Sequence, residues 1–532
     1  MRENSVSLNV CAHIERIRKQ ICGQPWPAGD GNSPVGKNHH QGQMSWASAH
    51  SAHNVIRGLI FSFLMLTQSG CMSVTPQSSE TAAVTVPAAW SAADGVAKTG
   101  NASLAQWWVR FNDPLLVRLV NQALQANTSV KSAQAALRQA RALRDVSAAA
   151  LWPTLDSSAS AQRGKSGNNS AVNKFTTGLD ASWELDIFGA NRSALETSEA
   201  TARASAASLG DVQVSIAAEV ALDYITLRDA QARLEIAKNN LASQQETLQI
   251  TQWRLQAGLV TSIEAEQART AVEQLRALLP GVQTNIEQTS HALAVLTGQP
   301  PAALLLQLAV AQSVPEVSDD LALSIPAETL RQRPDVRATE HEVAAALGRV
   351  QQAEAARLPN FRLSGSLGLN AMTLDTLTNG TSLVNSVLAD ISMPIFDAGS
   401  RRAQVRVQQA ALDQTLMAYK IAVLTALQEV EDALVALRGD RERMLRLEDA
   451  TEAAGNAALL ARQRYSSGLV DFQVVLETQR AQLTTQASKA SARADVSADH
   501  VRLYKALGGG WRPDDNDVPP TPIETPSRSS RL

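Results

Sequence analysis

The stretch Phe175-Thr176-Thr177-Gly178-Leu179-Asp180-Ala181-Ser182-Trp183-Glu184-Leu185-Asp186-Ile187 decides the fold. Its odd positions are mainly apolar, with Phe175, Leu179, Ala181, Trp183, Leu185 and Ile187. Its even positions are small or polar, with Thr176, Gly178, Asp180, Ser182, Glu184 and Asp186. Successive strand side chains point to opposite faces, so this pattern makes a two-faced strand. Its dozen or so residues match a strand that crosses a bilayer. Phe361–Asn370 repeats the pattern, and Val387, Ala389, Ile391, Met393 and Ile395 form a further apolar face. A weaker partner surrounds Leu155–Gln162, and the polar tips Arg163–Asn173 and Ala371–Ser382 separate the paired strands. A half-buried strand of a soluble sheet alternates in the same way, so alternation alone leaves both readings open. Four strands cannot close a barrel, and lipid does not tolerate an open sheet edge. Strands that span a membrane would therefore need several chains to complete one barrel.

Working outward, the chain is a tandem duplication. Pro153 and Pro359 each end a helical run and open an alternating one. Ile187-Phe188-Gly189 is echoed by Ile395-Phe396-Asp397-Ala398-Gly399. Arg254-Leu255-Gln256-Ala257-Gly258-Leu259-Val260 is echoed by Arg464-Tyr465-Ser466-Ser467-Gly468-Leu469-Val470. The offsets, 206, 208 and 210 residues, drift slowly and keep their order. Each copy holds a long helix followed by a return helix of about 37 residues, at about 1.5 Å per residue. Val220, Leu227, Leu234, Leu241, Leu248 and Leu255 recur every seven residues, as do Leu416, Val423, Val430, Leu437 and Met444. That period marks a coiled-coil seam, with Ala230 and Ala237 small enough to let helices approach. Gly258 and Gly468 supply the tight reversals between the helices.

Composition narrows the function. Of 532 residues 44% are hydrophobic but only 4% aromatic, which suits thin helical walls better than a globular core. Lys+Arg 48 against Asp+Glu 51 leaves a charge of −3, without the positive footprint of a nucleic-acid binder. The cysteines are Cys11, Cys22 and Cys71 alone, so no disulfide and no thiolate metal site can form beyond Cys71. His291, His341 and His500 are too scattered to suggest a metal cluster, and Glu429, Glu431 and Asp432 read as a solvated helix face. No catalytic constellation or cofactor is expected. Arg57 precedes the short apolar run Gly58–Leu66, which is closed by Gln68-Ser69-Gly70-Cys71. That order reads as an export signal ending at a lipidated Cys71, although Gln68 stands where such signals usually have Leu, Val or Ile. Residues 1–43 have no place in such a signal, and Met44 opens a segment of ordinary signal length.

Several motifs together resemble the TolC-type outer-membrane efflux factors, in the NodT-type lipoprotein branch to which OprM belongs. They are Trp107-Trp108 with Phe111-Asn112-Asp113-Pro114-Leu115-Leu116, Trp183-Glu184-Leu185-Asp186-Ile187-Phe188-Gly189, and Leu330-Arg331-Gln332-Arg333-Pro334-Asp335-Val336-Arg337. Pro394–Gly399, Leu427–Leu434 and Val501–Trp511 complete the set. The resemblance spans roughly Ala105 to Trp511. It implies a mainly α fold with a membrane β-barrel, four strands from each chain of a homotrimer closing twelve, above a long helical tunnel. It implies an outer-membrane duct that passively conducts solutes, working with a periplasmic adaptor and an inner-membrane pump of the proton-driven resistance-nodulation-division type. A type I secretion duct and a pore-less coiled-coil scaffold are the alternatives.

The resemblance also places a periplasmic gate at the hairpin tips. Glu264, six residues after Gly258, matches an acidic position, and Tyr465 matches a tyrosine that links neighbouring helices to that acid. Glu477 matches a gate-ring aspartate. Val474 replaces a second acid and Val470 a constraining arginine, which implies a closed state held more by apolar packing of Leu469, Val470 and Val474. The expected organisation is an export signal over 1–70, a lipidated extended arm over 71–104 and a first repeat over 105–300. Within that repeat the strand pair lies near 154–188 and the helical hairpin at 191–297. A linker follows over 301–325, then a second repeat over 326–511 with strands near 360–396 and hairpin 400–507, and a flexible tail over 512–532.

Overall fold

A computed structural model of the chain describes residues 104–165, 167, 170–317, 327–377 and 380–512. A short 3-10 turn, Leu104–Phe111, leads into helices α1 (Pro114–Ala126) and α2 (Thr128–Ala149). Strands β1 (Thr154–Gly164) and β2 (Val172–Leu185) follow, then the long helix α3 (Ala190–Gln256) and its return α4 (Ser262–Leu296). The second copy contributes α5 (Pro334–Ala355), β3 (Asn360–Ala371), β4 (Leu383–Ser392), α6 (Ser400–Ser466) and α7 (Phe472–Ala506). The long helices have 67 residues each and the return helices 35 each, close to the expected lengths.

Local chemistry explains the motifs. Asp113 accepts from the amides of Leu115 and Leu116 at 2.8 and 3.1 Å, capping α1 ahead of the helix-compatible Pro114. Its other oxygen accepts from the Tyr224 hydroxyl at 2.6 Å, which ties the cap to α3. The repeated Ile-Phe element is a strand-to-helix corner. Gly189 and Gly399 stand at φ +79° and +84°, which glycine adopts without steric cost. Asp186 and Asp397 cap the helices that follow, by accepting from the amides of Arg192 and Arg401.

All four strands form one antiparallel sheet in the order β1-β2-β3-β4. The β2–β3 pairing joins the two copies. Register puts Leu155, Leu179, Leu367 and Val387 on one face with Ala181, Trp183, Leu363 and Ile391. The opposite face carries Asp156, Asp180, Glu184, Arg362 and Asp390. Two boundaries differ from the pattern. β2 ends at Leu185, so Ile187 turns into the corner, and β4 ends at Ser392, so Met393 and Ile395 lie beyond the ladder. Pro394 lacks a donor for the ladder, which accounts for the early stop. Among the described residues β1 pairs only with β2 and β4 only with β3, leaving two open edges.

Among the helices, Trp107 stacks on Tyr504 at 5.5 Å and is fully buried, as are Leu116, Leu119 and Val120 of α1. Arg333, also buried, donates to Asp335, to Glu429 at 2.7 Å and to the Ala506 carbonyl at 2.6 Å. Glu429 therefore anchors α6 to the start of α5, a role its solvated-face reading missed. The described part of the segment between the copies, 301–317, packs against the helices. Arg228, buried in α3, donates to the Val310 carbonyl, Gln231 to that of Leu308, and Ser497 to that of Pro315. The heptad seam of α3 is buried at Val220 and Leu227, half-buried from Leu234 to Leu248 and exposed at Leu255. Further along, Ala230, Ala237, Gln244 and Thr251, also seven apart, take the buried face.

Candidate functional site

Two helix reversals build the tips. At the end of α3 the Leu259 amide donates to the Arg254 carbonyl and the Gly258 amide to that of Leu255. At the end of α6 the Leu469 amide donates to the Arg464 carbonyl and the Gly468 amide to that of Tyr465. This is the Schellman arrangement, which requires a left-handed residue after the cap. Gly258 and Gly468 supply it at φ +71° and +72°.

Between the tips lies a small apolar cluster. Tyr465 is buried against Ala268, Ala271, Ala461, Phe472, Val475 and Leu476, with Leu248 and Val470 packed at its margin. The Tyr465 and Phe472 rings are 5.4 Å apart. Sequence reasoning missed Arg254, which joins the two copies here. Its guanidinium lies 4.5 Å from the Tyr465 ring centroid and donates to the carbonyls of Tyr465 and Ser466 at 3.0 and 2.7 Å. A cation at the carbonyl end of a helix also complements the helix dipole. The available signal was the repeated Arg-x-x-x-Gly-Leu-Val motif, whose first residue went unused.

The structure sorts the expected gate residues into two groups. Tyr465 and Val470 belong to the cluster, whereas Leu469 is 72% exposed, Val474 is 39% exposed and Glu477 is exposed. Of the three residues expected to pack apolarly, only Val470 does so within the chain. Glu477 accepts from the Gln473 amide at 2.9 Å. Glu264 is half-buried in the first turn of α4. Its Oε2 and the Tyr465 hydroxyl are both buried, and neither has a hydrogen-bond partner among the described residues. Buried polar atoms of this kind ordinarily find partners. Trp253, Leu259 and Ile263 leave an exposed apolar rim on the first tip. An open hollow of about 530 Å³ lies alongside, between Ser262, Glu266, Thr270, Gln473 and Arg480. Cys71, the export signal, the arm, residues 318–326 of the linker and the tail from residue 513 lie outside the described residues.

A family model for "Outer membrane efflux protein" matches residues 119–299 and 325–509. Nodulation protein T of Rhizobium leguminosarum bv. trifolii is 30% identical over 456 residues, 85% of this chain and 97% of that protein. The solvent efflux pump outer membrane protein SrpC of Pseudomonas putida is 34% identical, over 76% of this chain and 87% of its own. Among solved structures, the outer-membrane channel OprN superposes with a TM-score of 0.77 at 35% identity, covering 82% of this chain and 99% of OprN. The open state of the Neisseria gonorrhoeae MtrE outer membrane channel gives 0.72 at 27% identity, covering 82% and 98%.

Proposed function

The chain belongs to the outer membrane efflux protein family, and from that premise we propose how it conducts. It is the outer-membrane channel component of a tripartite efflux system and catalyses no reaction. It works as a homotrimer with a periplasmic adaptor and an inner-membrane pump of the resistance-nodulation-division type. Three sheets join edge to edge, β4 of one chain beside β1 of the next, into a twelve-stranded barrel with the apolar face toward lipid. The observation that carries this reading is a sheet with one mainly apolar face and two open edges, a combination that lipid tolerates only when the edges are closed. The half-buried leucines Leu234, Leu241 and Leu248 and the exposed Leu255 meet neighbouring chains in the helical tunnel. SrpC is named for solvents and other relatives for toluene or pyoverdine, which points to small organic solutes as cargo here. Purified protein run unheated should migrate as a trimer that heat dissociates, and it should conduct ions in planar bilayers. A scaffold without a pore would give the trimer and no current.

Glu264, Tyr465, Leu469, Val470, Val474 and Glu477 form the periplasmic gate in this reading. Three Glu477 carboxylates around one axis make a negative constriction that binds cations. Glu477→Gln should weaken block of single-channel current by divalent cations, and unchanged block removes this residue from the gate. Cys71 carries the lipid anchor, so Cys71→Ser should abolish incorporation of radiolabelled palmitate. Retained label would refute that assignment.

A further inference from the structure

The tandem duplication makes one joint of the sheet a template for another. Helices α2 and α5 have 22 residues each and begin 206 residues apart, at Thr128 and Pro334. Strands β1 and β3 also begin 206 residues apart, at Thr154 and Asn360. Trp152 and Leu155 of the first copy therefore match Leu358 and Phe361 of the second. After the second strand of each pair, Ile187-Phe188 matches Ile395-Phe396.

Within the chain β2 lies beside β3, with Leu185 opposite Phe361. Beyond Leu185 the chain turns toward α3, and the Phe188 ring lies across the joint, 6.2 Å from the Phe361 ring. At this corner Phe188 is 44% exposed and Ile187 55%. In the second copy the same corner, between β4 and α6, borders an open edge. There Phe396 is 89% exposed and Ile395 98%, about twice the values of their counterparts. The apolar pair is the same. What differs is the adjoining strand, for among the described residues none pairs with the outer side of β4.

The opposite edge of the sheet carries groups that fit this corner. There β1 is the counterpart of β3, and its helical end presents Trp152 and Leu155, both exposed. Leu155 is the one large apolar residue on its face of β1, where Ser157, Ala159 and Ala161 follow. The strand beside each corner thus brings one aromatic ring and one leucine, in exchanged order. Large exposed apolar groups gathered at one place mark a contact surface. A contact between two different edges closes into a ring when every chain adds the same rotation.

We propose that Ile395 and Phe396 of one chain pack against Trp152 and Leu155 of the next, so that the joint between chains repeats the β2–β3 joint within each.

This rests on the edge-to-edge trimer proposed above and specifies which side chains hold it at the helical end of the sheet. Aromatic side chains at a barrel rim also suit lipid headgroups. Phe188 favours the neighbouring chain as the cover, because the equivalent ring lies over the next strand and not away from the sheet. Aromatic and aliphatic side chains on adjoining strands stabilise a pairing beyond its backbone bonds. The corner is therefore where apolar packing between chains adds to the ladder.

The test uses the full-length protein, purified and reconstituted in phospholipid vesicles. The double variant Leu155→Cys, Phe396→Cys, treated with a short bifunctional maleimide, should give a covalent trimer that persists after heating in detergent. The two single variants and the unsubstituted protein should give no such trimer. Trp152→Cys takes the place of Leu155→Cys if that variant fails to assemble. An unsubstituted protein that is monomeric before heating overturns the barrel reading, and the joint with it. An unheated trimer that yields no covalent trimer from either pair overturns the joint alone. So does a bimane label in Phe396→Cys that spin-labelled phospholipid quenches as strongly as one in Val387→Cys, because lipid would then cover the corner.

Discussion

Arg254 shows what a single side chain contributes to the tips. It reaches from the end of α3 to the last carbonyls of α6 and covers the face of Tyr465. Two charge-assisted hydrogen bonds and a half-exposed cation–π contact leave with it in Arg254→Ala, a loss of about 1–3 kcal/mol. Amide exchange at Ser466–Leu469 should accelerate accordingly, and Arg254→Lys should recover only part, because an ammonium lacks the two-pronged guanidinium. Unchanged exchange in Arg254→Ala would show that the cluster around Tyr465 holds the tip alone. The motif containing Arg254 was visible in sequence as a repeat, but its role was not. Its acceptors are backbone carbonyls 211 and 212 residues away, and side-chain patterns carry no trace of such partners. Glu477 and Leu469 were legible as tip residues for the opposite reason: their positions depend only on the nearby reversal at Gly468.

At the scale of elements, the helix ends were the most readable part. A left-handed glycine and its flanking pattern are local, so the hairpins fell within a residue or two of expectation. Strand ends were less legible, because alternation continues past Ser392 through Met393 and Ile395 although Pro394 ends the pairing. The seam was legible in its period and not in its facing, since which of two seven-residue stripes is buried depends on the partner helix. Two glycines with the same backbone conformation separate conformational from packing effects. At Gly468 an added Cβ meets nothing within 4 Å, so Gly468→Ala should cost only the left-handed strain of about 1–2 kcal/mol. At Gly508, φ +73°, the added atom would sit 3.0 Å from Arg333 Cγ and 3.1 Å from its Cα. Arg333 is held by Asp335, Glu429 and the Ala506 carbonyl and cannot yield easily. Gly508→Ala should therefore lower the thermal midpoint of the purified protein further than Gly468→Ala, by about 1–3 kcal/mol of extra overpacking. Equal midpoints would mean that Arg333 moves freely.

For the whole molecule, register decides which side chains share the polar face of the sheet, the face that lines the interior of the proposed barrel. The polar face carries Asp156 directly opposite Asp180, and Glu184 opposite Arg362, which is opposite Asp390. Lys174 stands near the far end of the same face, opposite Gln162. Ser158 donates to Asp180 at 3.1 Å, and Asp156 and Asp180 have no cation across the ladder. In the proposed barrel with the polar face inward, three chains would bring six such carboxylates to one level, in a low-dielectric wall that focuses their field. Cations should be concentrated there and anions depleted, most strongly at low salt, where screening reaches least. The reversal potential of purified trimers under a potassium chloride gradient should therefore show cation preference, reduced in the double variant Asp156→Asn, Asp180→Asn with conductance retained. If selectivity is instead set at the tips, Glu477→Gln will shift the potential and the barrel variant will not. A barrel built with its apolar face inward would show no response to either aspartate, because both would then face the lipid side and not the pore.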